Sequence, residues 1–316
     1  MIKKTVLITG GAGFIGANLS RKLIEKDYKV LLLIKNSTRT WRIDDLAKKI
    51  KVETVDLLNK TLVKKVLDKY QPSVIYHLAA NGAYSYQNNR DEIFETNINS
   101  TLNLIDGLKL KKLELFINTG SSSEYGFKDT PMSEGEITNP NSFYAISKVM
   151  QTNICSYYAK TFSFPIVTLR PFSVYGPYEE PGRLIPNIMD SIYNKSQLNM
   201  VSKKIVRDFI YIDDYVDFSL KINQLKKFSG EIFNVGSGKQ INFGQLIKIT
   251  EKSLGKTINV LWDKANSKSW DTSHWKADVK KSKRLLKFSP KNNLHSGLKK
   301  TWKWFKTNNH FYNGNN

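Results

Sequence analysis

Tyr144 and Lys148 stand four residues apart in Tyr144-Ala145-Ile146-Ser147-Lys148, a spacing that puts both side chains on one face of a helix. A tyrosine with its ordinary pKa of about 10 is a poor base at neutral pH. A neighbouring ammonium favours the phenolate, so the hydroxyl can exchange a proton with a carbonyl or an alcohol. The spacing alone is common by chance, and the company it keeps gives it weight. Upstream lies Asn118-Thr119-Gly120-Ser121-Ser122-Ser123-Glu124-Tyr125-Gly126, a cluster of hydroxyls after an apolar run. A serine there can hydrogen-bond a reacting oxygen and stabilise its developing charge; a simple turn or helix cap is the ordinary alternative.

A third motif, Gly10-Gly11-Ala12-Gly13-Phe14-Ile15-Gly16, follows an apolar run directly and opens a helical pattern. Gly10, Gly13 and Gly16 allow a tight turn, close approach of backbone to a pyrophosphate, and close packing of the next helix. The helix start then offers its free N–H groups to the phosphates. After the second apolar run, where an acidic residue would bond the ribose hydroxyls of NAD, the chain reads Lys35-Asn36-Ser37-Thr38-Arg39. Lys35, Ser37 and Arg39 suit a 2′-phosphate, so NADP(H) is expected, with NAD(H) as the alternative. An ordinary basic loop in a basic protein is the plainer reading. Asp56 and Leu57, after the third run, are placed to meet the adenine.

These motifs need a frame. Apolar runs near 5–8, 30–34, 52–55, 74–78, 113–117 and 166–169 read as strands, and patterns near 61–70, 91–110 and 144–160 as helices. Strand and helix in alternation predict an α/β, doubly wound parallel sheet of Rossmann type, with its ligand at the carboxyl ends of the strands. After Pro171 the prolines crowd together, and helices near 184–195, 213–225, 243–253 and 294–306 with strands near 208–212, 232–235 and 258–261 suggest a smaller mixed α/β unit. The expected division is a dinucleotide-binding domain over 1–171, completed by elements near 208–236, and a mainly substrate-binding C-terminal domain over 172–316. The tail 313–316 is expected to fray.

With 40% hydrophobic and 24% charged residues, the chain of 316 is too apolar for disorder and large enough to build its own core. Its one cysteine, Cys155, excludes an internal disulfide. The absence of a signal-peptide core or an apolar run long enough to span a bilayer predicts a cytoplasmic protein without membrane attachment. The four histidines lack ligand-like spacing, so no metal is expected. A net charge of +21 raises the question of nucleic acid, but the lysines are dispersed in pairs without interleaved aromatics, and an RNA-binding module is the remote alternative.

Taken in order, the glycine turn, the serine cluster and Tyr144…Lys148 resemble the extended short-chain dehydrogenase/reductases, in the branch of NAD-dependent epimerase/dehydratases acting on nucleotide sugars. Further matching pieces are His77-Leu78-Ala79-Ala80, Asn97-Ile98-Asn99, Leu169–Pro177, Arg207–Asp214 and Phe233–Gly238. The resemblance implies that Tyr144 is the acid/base, that Lys148 bonds the nicotinamide ribose, and that Ser121, five residues before Gly126, meets the substrate oxygen. It also implies cofactor roles for Gly10, Gly13, Phe14, Ile15, Gly16, Ala79, Ala80, Asn97, Phe172 and Val174. Ser121, Ser122 and Ser123 would face the substrate, and Asn187 and Arg207 its diphosphate. A pair with Asp208 or Asp213 is the alternative for Arg207. The 4,6-dehydratases carry an acid two places after the catalytic hydroxyl; here that place is Ser123, with Glu124 one step on. The expectation is therefore an NADPH-dependent reductase of a nucleotide-linked 4-keto-deoxysugar. A 4-epimerase with tightly bound NAD is the alternative, and a dehydratase is disfavoured. Relatives are commonly homodimers through the helices near 91–110 and 144–160.

Overall fold

In the computed structural model, which describes residues 3–84, 86–109, 112–265 and 271–312, the first apolar run forms β1 (Thr5–Thr9), with Val6, Leu7 and Ile8 fully buried. The elements that follow are α1 (Phe14–Glu25), β2 (Lys29–Ile34), β3 (Lys51–Thr54), α2 (Lys60–Tyr70), β4 (Val74–His77), α3 (Arg90–Phe94), α4 (Ser100–Asp106), β5 (Leu115–Thr119), α5 (Phe143–Phe162) and β6 (Ile166–Pro171). With β10 (Ile232–Val235) the strands make a seven-stranded parallel sheet in the order β10-β6-β5-β4-β1-β2-β3. Burial on both faces explains why β1, β2, β4 and β5 read as unbroken apolar runs. The order reverses at β1, so β1 and β4, paired as far as Thr9 and His77, flank the switch point where such sheets hold ligands.

The core on one side joins Leu7, Leu31, Leu33, Ile75 and Phe116 of the strands to Val63, Val66 and Leu67 of α2 and to Cys155 and Ala159 of α5. Each leucine buried there contributes about 1.5–3 kcal/mol. The helix expected over 91–110 is interrupted. A π-turn, Glu95–Asn99, separates α3 from α4 and aims Asn97 inward. Strand β5 starts two residues later than the apolar run suggests, because its pairing with β4 begins at Val74 and Leu115. That shift brings its carboxyl end to the serine cluster.

The chain forms two compact units. The first is Met1–Gly126, Ile137–Arg170 and Ser219–Phe233; the second is Phe127–Glu136, Pro171–Phe218 and Asn234–Asn316. The second unit holds a three-stranded sheet of β7 (Ser173–Tyr175), β9 (Val206–Tyr211) and β11 (Gln240–Asn242), in the order β11-β9-β7. A two-stranded pair joins β8 (Leu198–Asn199) to β12 (Val260–Leu261). Its larger helices are α6 (Leu184–Asn194) and the helices Phe243–Leu254 and Leu294–Asn308. Of the elements expected near 208–236 in the large sheet, β10 is there and β9 is in the small one. The sequence reading missed β7, β8, β11 and helix Lys280–Leu286, all too short to carry a period. The tail 313–316 lies outside the described residues. Among the described residues no helix is long and apolar enough to cross a membrane, and no three His, Cys, Asp or Glu side chains gather as metal ligands.

Candidate active site

The turn after β1 is as tight as its glycines allow. Gly10 has φ +66°, and a Cβ there would lie 2.8 Å from the Ala79 nitrogen, past the end of β4. A Cβ on Gly16 would lie 2.4 Å from the Gly10 carbonyl oxygen. Gly13 caps α1 without a side-chain hydrogen bond, and the first turn of the helix carries no acid. Its N–H groups and positive dipole end are thus open to an anion, and the cradle fits a dinucleotide pyrophosphate. Phe14 and Ile15 are half-buried in that first turn, as are Ala79 and Ala80 after β4. Gly16→Ala should weaken dinucleotide binding about 10- to 100-fold, from roughly 1–3 kcal/mol of overpacking against backbone that cannot yield. Titration of cofactor fluorescence reads this directly, and unchanged affinity would move the phosphate site elsewhere.

At the end of β2, Lys35, Ser37 and Arg39 are exposed. Lys35 pairs with Asp56 at 3.5 Å. The Leu57 side chain is in the core and its carbonyl accepts from Asn103 at 2.9 Å, while Asp56 is exposed.

Helix α5 starts at Ser142, whose hydroxyl accepts the Ala145 N–H at 3.1 Å. Tyr144 and Lys148 follow one turn apart. Tyr144 is half-buried, and Lys148 is buried with its ammonium donating to Gln151 Oε1 at 2.7 Å. Burial pushes Lys148 down to about 8, against the opposing pull of the Glu124 charge. Asn97 is fully buried: its Nδ2 donates to Asn81 O (2.9 Å) and to Ser147 Oγ (2.8 Å), and its Oδ1 accepts from Asn81 N (2.8 Å). All its polar groups are engaged with protein, which makes it a clamp between the loop after β4 and α5.

The serine cluster forms a 3₁₀ turn, Ser122–Tyr125, packed against α5. Ser121 caps it, its Oγ accepting from Ser123 N at 3.1 Å, which leaves the Ser121 O–H free to donate to a substrate oxygen. Glu124 turns inward. Its Oε1 accepts from Ser121 N (2.7 Å), and its Oε2 takes Arg170 Nε (2.9 Å) and Nη2 (2.7 Å). The carboxylate is fully buried; burial raises its pKa while Arg170 opposes. Thr119 Oγ1, buried at the carboxyl end of β5, has no hydrogen-bond partner among the described residues.

The other expected residues lie in the second unit. Phe172 is buried, its N–H bonded to Val235 O at 3.0 Å, and Val174 sits half-buried in β7. Asn187 is exposed in the first turn of α6. Arg207 pairs with Asp271 at 2.8 Å and lies over the rings of Trp275 and Phe243. Neither suggested partner holds it: Asp208 accepts the N–H groups of Ser237, Gly238 and Ala277, and Asp213 pairs with Lys300. The pair with Asp271 crosses 64 positions and follows no local spacing. The Arg183 charge, close enough to lower Arg207, adds a second guanidinium that the sequence reading did not single out.

A tyrosine and a lysine one helical turn apart and a glycine turn that fits a dinucleotide, carried by one doubly wound sheet, are the hallmark of the extended short-chain dehydrogenase/reductases, and the chain is an enzyme of that class. More narrowly, the pattern of the NAD-dependent epimerase/dehydratase family matches residues 6–236, and the chain belongs to that family. It is 31% identical to a UDP-glucuronate 4-epimerase of Thermodesulfobacterium geofontis, over 96% of each chain. It is 28% identical to a UDP-N-acetyl-alpha-D-glucosaminuronate decarboxylase of Bacillus cytotoxicus, over 96% of this chain and 98% of that protein. Among solved structures it resembles the UDP-glucuronic acid 4-epimerase of Bacillus cereus in complex with UDP-glucuronic acid and NAD, at a TM-score of 0.85 and 30% identity, covering 96% of this chain and 99% of that one.

Proposed function

We propose that the protein is a nucleotide-sugar 4-epimerase that retains NAD, and that UDP-linked hexoses or hexuronates are its substrates. The inward turn of Glu124 carries this reading. With Glu124 held by Arg170 and Ser121 N–H, and Ser123 in the place of the dehydratase acid, the loop offers hydroxyls and no free carboxylate for water elimination. The full-length likeness to 4-epimerases that act on UDP-glucuronate supports the same choice over the expected keto-sugar reductase.

Bound NAD supplies a reversible hydride acceptor for the C4–H of the sugar. Tyr144 takes the proton from the 4-hydroxyl as that carbon is oxidised and returns it to the same oxygen on reduction, so no net proton or hydride leaves. Lys148 holds the phenolate form within reach of neutral pH. The Ser121 O–H bonds the same oxygen and stabilises its developing charge. In the second unit, Arg207 and Arg183 supply positive charge for a diphosphate, and Asn187 a neutral donor. The substrate-side roles of Ser122 and Ser123 and the cofactor-side roles of Phe172 and Val174 belong to this proposal. So does a homodimer through α5, where Phe143, Met150 and Tyr157 are exposed at intervals of seven along one helix face.

One observation favours the second reading, an NADPH-dependent reductase: exposed Lys35, Ser37 and Arg39 follow β2, and the nearby carboxylate of Asp56 is paired with Lys35. Mass analysis of cofactor released from purified protein separates the two. The epimerase is expected to carry stoichiometric NAD and to interconvert UDP-glucuronate or UDP-glucose with their 4-epimers, with no net change in nicotinamide absorbance. Empty protein that consumes NADPH only with a 4-keto sugar, a preference lost in Arg39→Ala, would replace this reading with the reductase.

A further inference from the structure

We propose that Gln151 is the positioning residue of Lys148, and that a buried line of hydrogen bonds from Ala79 through Thr9, His77 and Thr101 fixes which end of the Gln151 amide faces the ammonium. The proposal rests on the reading that Lys148 serves Tyr144. Its geometry lies entirely within the first unit.

The direction of every bond follows from the donors available. Ala79 N–H donates to Thr9 Oγ1 at 3.2 Å, and the Thr9 hydroxyl lies 2.7 Å from His77 Nδ1. His77 Nε2 lies 2.8 Å from Thr101 Oγ1, whose own proton goes to the Asn97 carbonyl at 2.7 Å. With its proton committed, the Thr101 oxygen can only accept. His77 must then carry its proton on Nε2, and Thr9 must donate to Nδ1. Full burial pushes His77 down to about 3, which keeps the ring neutral with the single N–H this line requires.

The remaining acceptor site on Thr101 takes Gln151 Nε2 at 2.9 Å. The amide cannot turn over, because its oxygen would then face an oxygen and its N–H groups the ammonium. Gln151 Oε1 therefore points to Lys148 Nζ, 2.7 Å away. Thr9, His77, Thr101, Gln151 and Lys148 are all buried, so water does not compete for these bonds. A neutral acceptor holds the ammonium in place without the stabilisation a carboxylate would give it. The other titratable groups around Lys148 are Glu124 of the 3₁₀ turn, His77 of β4, and Tyr144 and Cys155 of its own helix. Glu124 is committed to Arg170, His77 is neutral, and burial holds the Cys155 thiol protonated.

The test uses the full-length, cofactor-loaded protein and two variants, Gln151→Glu and Gln151→Met. The readouts are the alkaline limb of kcat/KM and the NMR titration of Lys148 Cε in 13C-lysine-labelled protein, assigned by its loss in Lys148→Met. Activity falls as pH rises through the Lys148 pKa, because the ammonium is lost. Gln151→Glu is near-isosteric, and its carboxylate should move both readouts upward by about one pH unit or more. Gln151→Met should move them downward and lower kcat about tenfold while the sugar KM changes little, and Thr101→Val should shift them the same way by less. Unchanged titration and an unchanged alkaline limb in both Gln151 variants would overturn the proposal. A shifted Lys148 titration in a protein that turns over no sugar would instead leave the positioning role standing and remove the epimerase reading.

Discussion

If the protein is the proposed NAD-retaining 4-epimerase, Tyr144→Phe should lower turnover by about 10²- to 10⁴-fold, the range for losing a positioned acid–base group, with no loss of bound NAD. The substitution removes one oxygen from a half-buried ring at the start of α5 and leaves the elements around it intact. The Ser142 cap bonds Ala145 N–H, and Asn97 clamps Ser147, so neither depends on the phenol. The proposed cofactor cradle, Gly10–Gly16 with Ala79 and Ala80, is held by close backbone approaches that do not involve the phenol oxygen. Rate and cofactor content must therefore separate: single-turnover hydride transfer disappears, and bound NAD measured after denaturation stays at the wild-type level. Wild-type turnover in the variant would remove Tyr144 from the chemistry and leave Ser121 as the hydroxyl to examine.

The largest effect on stability is expected at Glu124. Removing its side chain by Glu124→Ala leaves the buried Arg170 guanidinium unpaired and the Ser121 N–H without its acceptor. Breaking a buried pair from one side costs about 3–5 kcal/mol. Replacing both partners, Glu124→Ala with Arg170→Leu, should recover part of that loss, because no charge is then stranded. Urea unfolding of the three proteins reads the difference as a shift in midpoint. Equal stability of wild type and Glu124→Ala would mean that the pair does not anchor the serine turn. The same contacts are why the proposed reading is epimerisation and not dehydration: a carboxylate bound by arginine and a backbone N–H is poorly placed to deliver protons to a sugar.

The doubly wound sheet was legible from the residues alone. Strands buried on both faces must be continuously apolar, and Val6–Ile8, Val30–Leu33 and Val74–Tyr76 are. The glycine turn was legible because only glycine meets the two close backbone approaches at Gly10 and Gly16. The pair at positions 144 and 148 was legible because helical spacing is a local property. The break in the helix over 91–110 was not, since the sequence there keeps a helical pattern and the π-turn serves contacts with Asn81 and Ser147, 16 and 50 residues away.

By itself, then, the sequence determined the class of enzyme, the glycine turn and the Tyr144–Lys148 pair that the proposal uses, because each depends on conformations set within a few residues. Tertiary structure decided the rest. It turned Glu124 inward to Arg170, 46 positions on, and so argues for epimerisation over dehydration. It gave Arg207 to Asp271, and it set Gln151 against Lys148 through Thr101, His77 and Thr9. Buried polar groups must find partners wherever the fold brings them, and no local spacing records where those partners are.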